Sequence, residues 1–150
     1  IQRLPVWVKA RQSHAALLDE ELSNVPGIEV LTPSADVEHS YYKHYANVAP
    51  EMLNRKWSRD EIVRCIQKEG VPCGSGLCCE IYLEQAIQNA GFAPEERLAG
   101  AQELGERSLM FMVHPTLSRE EVEDTVAAVT KVMRVVAADA EQVDSLRRAA

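Results

Sequence analysis

The densest run of side chains able to do chemistry is Tyr41-Tyr42-Lys43-His44-Tyr45. Three phenols, an ammonium and an imidazole at consecutive positions could bind a phosphate or a sugar through charge and hydrogen bonds. In a strand, alternation places Tyr41, Lys43 and Tyr45 on one face and Tyr42 and His44 on the other. A half-buried strand whose tyrosine hydroxyls reach water has the same composition, so both readings stand. Lys43 is the lysine whose aromatic setting invites Schiff-base chemistry. That chemistry needs desolvation or a nearby cation to lower the amine pKa, and a lysine opening a small sheet is ordinarily solvated.

A second cluster surrounds Gly74-Ser75-Gly76, with Cys73, Ser75 and Cys78 expected at its rim. It is half of a dinucleotide fingerprint, without the third glycine or a clear preceding strand. As a bare turn it could offer backbone N–H groups to an anion, or simply connect two elements. His114, before Pro115, has the pKa for acid–base work, yet no nucleophile and carboxylate can be placed beside it. A histidine that ends a buried strand more often makes a structural hydrogen bond. His14 and His39 carry less signal.

These residues need elements to position them. Leu4, Trp7, Val8, Ala15, Leu18 and Leu22 recur at helical spacing, predicting a first helix from about Arg3 to Asn24, with Pro5 tolerated in its first turn. Val25-Pro26-Gly27 stops it. Strands are expected at Ile28 to Leu31 and Tyr41 to Val48. Ser58 and Glu61 form a capping box, with Trp57 and Ile62 as a staple and Gly70 as terminator. The stretch from Val71 to Gly76 is too rich in Gly and Pro for a helix, and reads as a loop. Helices are expected from Glu80 to Ala90 and from about Pro94 to Leu104, ending at Gly91 and Gly105.

The apolar run Leu109 to Val113 predicts a short buried strand meeting His114-Pro115. Ser118 and Glu121 repeat the capping box, with Leu117 and Val122 as the staple. Val122, Val126, Val129, Met133 and Val136 then mark a long amphipathic helix. Residues 141–150 are polar and expected to fray. The order implies one α+β domain over residues 1–150, a small antiparallel or mixed sheet with helices packed on one face.

At 150 residues the chain can bury a sizeable core. A net charge of −7, with no Lys/Arg cluster beyond Arg147-Arg148, excludes an electrostatic nucleic-acid interface. No apolar run is long enough to span a membrane and no leader pattern is present, so a cytoplasmic location is expected. Cys65, Cys73, Cys78 and Cys79 lack zinc-knuckle spacing, and adjacent cysteines rarely pair, so reduced thiols and no metal are expected. The opening on Ile1 rather than Met has the look of an excised fragment.

Several segments, in order, resemble the DegT/DnrJ/EryC1/StrS family of sugar aminotransferases. Ile1-Gln2-Arg3-Leu4 through Trp7, Arg11 and Ala15 to Leu22, then Pro26-Gly27-Ile28, is similar to the family's long helix after the cofactor lysine. Tyr41 to Tyr45 resembles its tyrosine-rich strand, and Trp57-Ser58-Arg59-Asp60-Glu61-Ile62 its Arg-Asp helix start. Glu69-Gly70-Val71 and Ser108 to Ser118 complete the set.

The resemblance implies the C-terminal small domain of a fold type I, pyridoxal-phosphate-dependent enzyme. Such an enzyme transfers an amino group from an amino-acid donor, usually glutamate, to a keto-sugar, commonly nucleotide-linked, as a homodimer. It also implies that the cofactor lysine, the ring stacked on the cofactor and the acid facing its pyridine nitrogen lie in a large domain outside this chain. The fragment alone is then inactive, with no catalytic, cofactor or metal residue of its own. Many members carry His-Tyr-Pro where this chain has Gly76-Leu77-Cys78, and Cys73 to Tyr82 (CGSGLCCEIY) resembles a subgroup with a Gly/Ser/Cys loop. The substrate-binding candidates are therefore Tyr41, Lys43, Cys73, Ser75 and Gly76. The competing reading is a non-catalytic binding or dimerisation module.

Overall fold

The computed structural model describes residues 2–54, 57–76 and 78–148, with side chains as far as residue 137. Along α5 (Arg119–Arg148), Val122, Val129, Met133 and Val136 are buried as one stripe, with Val126 packed at its margin. This stripe meets Ala15, Leu18 and Leu22 of α1 (Leu4–Leu22) and Ile62, Val63 and Ile66 of α2 (Arg59–Lys68). All three helices lie on one face of a four-stranded antiparallel sheet. Burying one such aliphatic side chain contributes roughly 1.5–3 kcal/mol, so this seam is the main source of stability.

The sheet order is β1-β2-β4-β3, with β1 Ile28–Val30, β2 His44–Val48, β3 Cys73–Gly74 and β4 Ser108–Phe111. Register sets Tyr45 opposite Met110, and Met110 opposite Gly74. Ile28, Ala46, Val48, Leu109, Phe111 and Cys73 point to the helices. Between β3 and β4 the chain makes an excursion containing α3 (Gln85–Asn89) and α4 (Ala99–Arg107).

Both capping boxes form. The Ser58 N–H donates to Glu61 Oε2 (2.7 Å), and the Glu61 N–H donates to Ser58 Oγ (3.3 Å). Ser118 and Glu121 exchange the same pair of bonds at 2.7 and 3.2 Å. Gly70 takes φ +89° just after α2, the left-handed position that favours glycine at a helix end.

Four expectations need correction. The strand expected from Tyr41 begins only at His44, because Tyr41 sits at φ 45° and turns the chain before pairing starts. The loop expected through Cys73 and Gly74 is a two-residue strand on β4, too short for any periodic signature. The helix expected over Glu80 to Ala90 is a 3-10 turn, Ile81–Leu83, followed by α3. The next helix starts later, at Ala99, and runs through Gly105 to Arg107; Gly105 is not among the left-handed glycines, so it does not stop the helix. Gly76-Leu77-Cys78 is described except at Leu77, and the tail expected to fray over 141–150 lies outside the residues whose side chains are described.

Candidate functional site

The outer face of the sheet carries Tyr45 and Met110, side by side across β2 and β4. From β3 the chain doubles back over them. A Cβ on Gly74 would lie 3.2 Å from Met110 Cε, and one on Gly76 only 2.7 Å from Tyr45 Cε1. Gly76 also has φ +87°. Both its conformation and its contact with the Tyr45 ring therefore favour glycine. The loop is seated on the ring rather than hanging free.

Beyond Gly76 this loop borders a cleft of about 350 Å³, lined by Ser75, Cys78, Glu84, Arg97 and Arg59. Its far wall is a polar knot. Arg97 donates to both Glu80 oxygens (2.8 and 2.5 Å), and the Tyr82 hydroxyl donates to Glu80 at 2.7 Å. The same hydroxyl accepts the Leu98 N–H at 3.0 Å. Hydrogen bonds from Arg97, then from Tyr82, hold the Glu80 carboxyl at a pKa of about 2. The cleft is lined by the Ser75 hydroxyl, by Arg59 and Arg97, each already held by a carboxylate, and by Glu80, Glu84 and Glu106, a polar set suited to a polyhydroxylated ligand. Among the described residues, no group of three His, Cys, Asp or Glu could hold a metal ion.

The sequence candidates divide into separate places. Ser75 and Gly76 belong to the seated loop. Cys73 does not lie at its rim: the side chain is buried on the core face, where desolvation pushes the thiol up to about 11. The backbone alternation that sends Gly74 outward sends Cys73 inward. Tyr41 packs against the core margin, edge-on to His39 at 4.4 Å, with its hydroxyl pKa raised by burial and by Asp19. It does not share a face with Tyr45. The Lys43 ammonium lies 5.5 Å from the centre of the exposed Tyr42 ring. His114 is exposed, and its Nδ1 lies 2.7 Å from Thr116 Oγ1 in the turn leading to α5.

Sequence reasoning passed over Tyr45 as a site residue, although alternation with Lys43 pointed to it, and passed over Arg59 outside the family motif. A larger cleft of about 530 Å³ lies between α2 and α4, lined by Trp57, Arg59, Glu103 and Arg107. Both of its arginines are committed. Arg59 donates to Asp60 (2.7 Å) and to the Ser108 carbonyl (2.8 Å). Arg107 donates to the Val48 carbonyl (3.0 Å), Glu103 (2.6 Å) and Glu29. These bonds tie α2 and α4 to the sheet.

His44 is 1% exposed, and its Nε2 lies 2.7 Å from Asp19 Oδ1, while Nδ1 has no partner. Burial lowers its pKa from 6.5, opposed by the Asp19 bond. The folded state thus binds the proton less well than the unfolded chain. Stability is complete above about pH 6.5 and falls as pH drops toward the folded value. Urea unfolding from pH 7.5 to 5.5 should show this decline, and His44→Gln, which cannot titrate, should reduce it. Identical pH profiles for both proteins would exclude His44 as the source.

The model of the DegT/DnrJ/EryC1/StrS aminotransferase family matches residues 1–130. No curated protein matches. Among solved structures, an aminotransferase from Psychrobacter cryohalolentis is 39% identical, with a TM-score of 0.82 over 90% of this chain and 36% of that one. The aminotransferase TlmJ from Streptoalloteichus hindustanus is 26% identical, with a TM-score of 0.75 over 89% of this chain and 34% of that one. PseC from Helicobacter pylori, an aminotransferase of pseudoaminic acid biosynthesis, shares the fold at 19% identity and a TM-score of 0.76, over 89% of this chain and 34% of that one. The chain thus spans about a third of the length of these proteins.

Proposed function

Because the chain belongs to the DegT/DnrJ/EryC1/StrS aminotransferase family, we propose that it is the C-terminal small domain of a longer pyridoxal-phosphate-dependent sugar aminotransferase. The parent moves an amino group from an amino acid to a keto-sugar, nucleotide-linked in the family's usual manner, as a cytoplasmic homodimer. The observation that carries the site is the loop from Gly74 to Gly76, laid on Tyr45 beside a polar cleft lined by Ser75, two arginines and three glutamates. Ser75 and the loop backbone meet the sugar nucleotide there, and Tyr45 supports them. Buried Cys73 anchors the loop in the core. Tyr41 and Lys43 stand before β2 and apart from this cleft, Tyr41 at the core margin and Lys43 on the Tyr42 ring, and are not assigned to it. The competing module without chemistry is not favoured by the family match.

The cofactor supplies an electrophilic centre that takes up and returns the amino group. Its lysine needs a desolvated setting. Among the described lysines, Lys9, Lys68 and Lys131 are exposed, Lys131 being paired with Glu69 (2.5 Å), and Lys43 lies on the exposed Tyr42 ring. These residues do not fit the group, which is therefore assigned to the remainder of the parent. This chain's share is to bind and orient the sugar and to exclude water.

Thiol labelling tests the site. Cys78 is exposed, although Glu84, 3.5 Å from its sulfur, raises its pKa; Cys73 is buried and Cys65 half-buried. In the full-length parent, Cys78 should label well before Cys73 and Cys65. Saturating nucleotide-linked keto-sugar should slow Cys78 several-fold and leave Cys65 unchanged. Equal Cys78 rates with and without the sugar would remove the loop from the site.

A further inference from the structure

The excursion between β3 and β4 contradicts the usual division of apolar and polar surface. Ile81 (62% exposed), Leu83 (45%), Phe92 (79%), Leu98 (53%) and Leu104 (49%) all face water, and among its described large side chains Tyr82 is the buried one. Every residue from 91 to 100 is exposed. The segment is nevertheless held in place. The Tyr82 hydroxyl accepts the Leu98 N–H while donating to Glu80, and Arg97 closes on the same carboxylate. One tyrosine thus keeps Leu98 near Ile81 and Leu83, its sequence neighbours. Ile81, Leu83 and Leu98, drawn together in this way, make an exposed apolar patch, with Phe92 and Leu104 exposed on the same excursion, and such a patch marks an interaction surface.

We infer that the Ile81–Leu104 surface docks onto the part of the parent polypeptide that lies outside this chain. The inference rests on the reading of the chain as one domain of a longer enzyme. Two observations select this occupant over a second copy of the same surface. About two thirds of each matched structure's length has no counterpart here, which leaves ample chain to cover the patch. The patch is also interspersed with the exposed carboxylates of Glu84, Glu95 and Glu96, while Arg97 is engaged by Glu80. A two-fold contact would set these like charges against one another. The covering surface therefore combines an apolar patch with Lys or Arg at its rim.

Photo-crosslinking in the full-length parent tests this. Benzoylphenylalanine is placed at Phe92, whose side chain is too exposed to hold the fold together, and isotopically light and heavy parents are mixed before irradiation. The expected product joins residue 92 to a peptide upstream of Ile1 within one chain, at a yield that falls several-fold in high salt. Crosslinks between light and heavy chains would show that a second copy covers the patch and would overturn the inference. Absence of any crosslink would show an open surface and overturn it equally. Transamination by the same parent, measured alongside, separates the two readings: an active parent without the intrachain crosslink refutes the docking alone, and an inactive one with the crosslink refutes the activity alone.

Discussion

Phe111→Ala should lower stability by about 3–5 kcal/mol, the cost of removing a fully buried aromatic side chain and leaving a cavity. Phe111 is 0% exposed in β4, between Cys73 and His44 on the neighbouring strands, with its ring 6.2 Å from the His44 ring. Ile62, Ile66 and Val113 of the same core are themselves fully enclosed. Met112, one residue on, faces the opposite side and is 39% exposed. Met112→Ala should change stability by less than about 0.5 kcal/mol. Urea unfolding of the two variants reads the difference directly. Equal losses would mean that the buried and exposed sides of the chain at Phe111 and Met112 are not distinguished as described.

Gly76→Ala, compared with Gly70→Ala, isolates the contact on Tyr45. Both glycines have left-handed φ, +87° and +89°, so both substitutions carry a conformational penalty of roughly 1–2 kcal/mol. The added methyl at Gly70 meets nothing within 4 Å, whereas at Gly76 it lies 2.7 Å from Tyr45 Cε1. The ring must turn or the loop must lift. In the full-length parent, a misplacement of the loop by about 1 Å should reduce kcat/KM by roughly 100-fold. Gly70→Ala should cost stability and leave kcat/KM near the parent value. A common response to both substitutions would mean that φ alone matters and that the seat on Tyr45 has no role in activity.

The helical core and both capping boxes were legible in the sequence, because their signals are local. Ser58-x-x-Glu61 and Ser118-x-x-Glu121 satisfy backbone donors within their own turn, and the Val122-to-Val136 stripe needs only the helical period. The apolar run from Leu109 likewise marked a strand, and its burial follows from its place between β2 and β3. Cys73 and Gly74 gave no such signal, since a two-residue strand has no period and exists only by pairing with Met110 and Phe111.

The aromatic run misled for a related reason. Alternation from Tyr41 assumes an extended chain, and a single left-handed residue reverses the side to which Tyr41 turns. The Glu80–Tyr82–Arg97 knot joins residues as far as 17 positions apart, so nothing local announces it. Of the candidate site, the flexible glycines were visible and the ring beneath them was visible. Their contact was not, because it depends on β3 and β2 flanking the same strand.

The most direct measurement follows the amino group itself. The full-length parent is incubated with glutamate labelled at its nitrogen and with a panel of nucleotide-linked keto-hexoses, and the sugars are analysed by mass spectrometry. Labelled nitrogen is expected at the former carbonyl carbon of one of the sugars, with transfer sharply slowed in the Gly76→Ala parent and preserved in Gly70→Ala. Labelled nitrogen retained entirely in glutamate across the panel, or transfer unaffected by Gly76→Ala, would contradict the assignment of this loop to a sugar aminotransferase site.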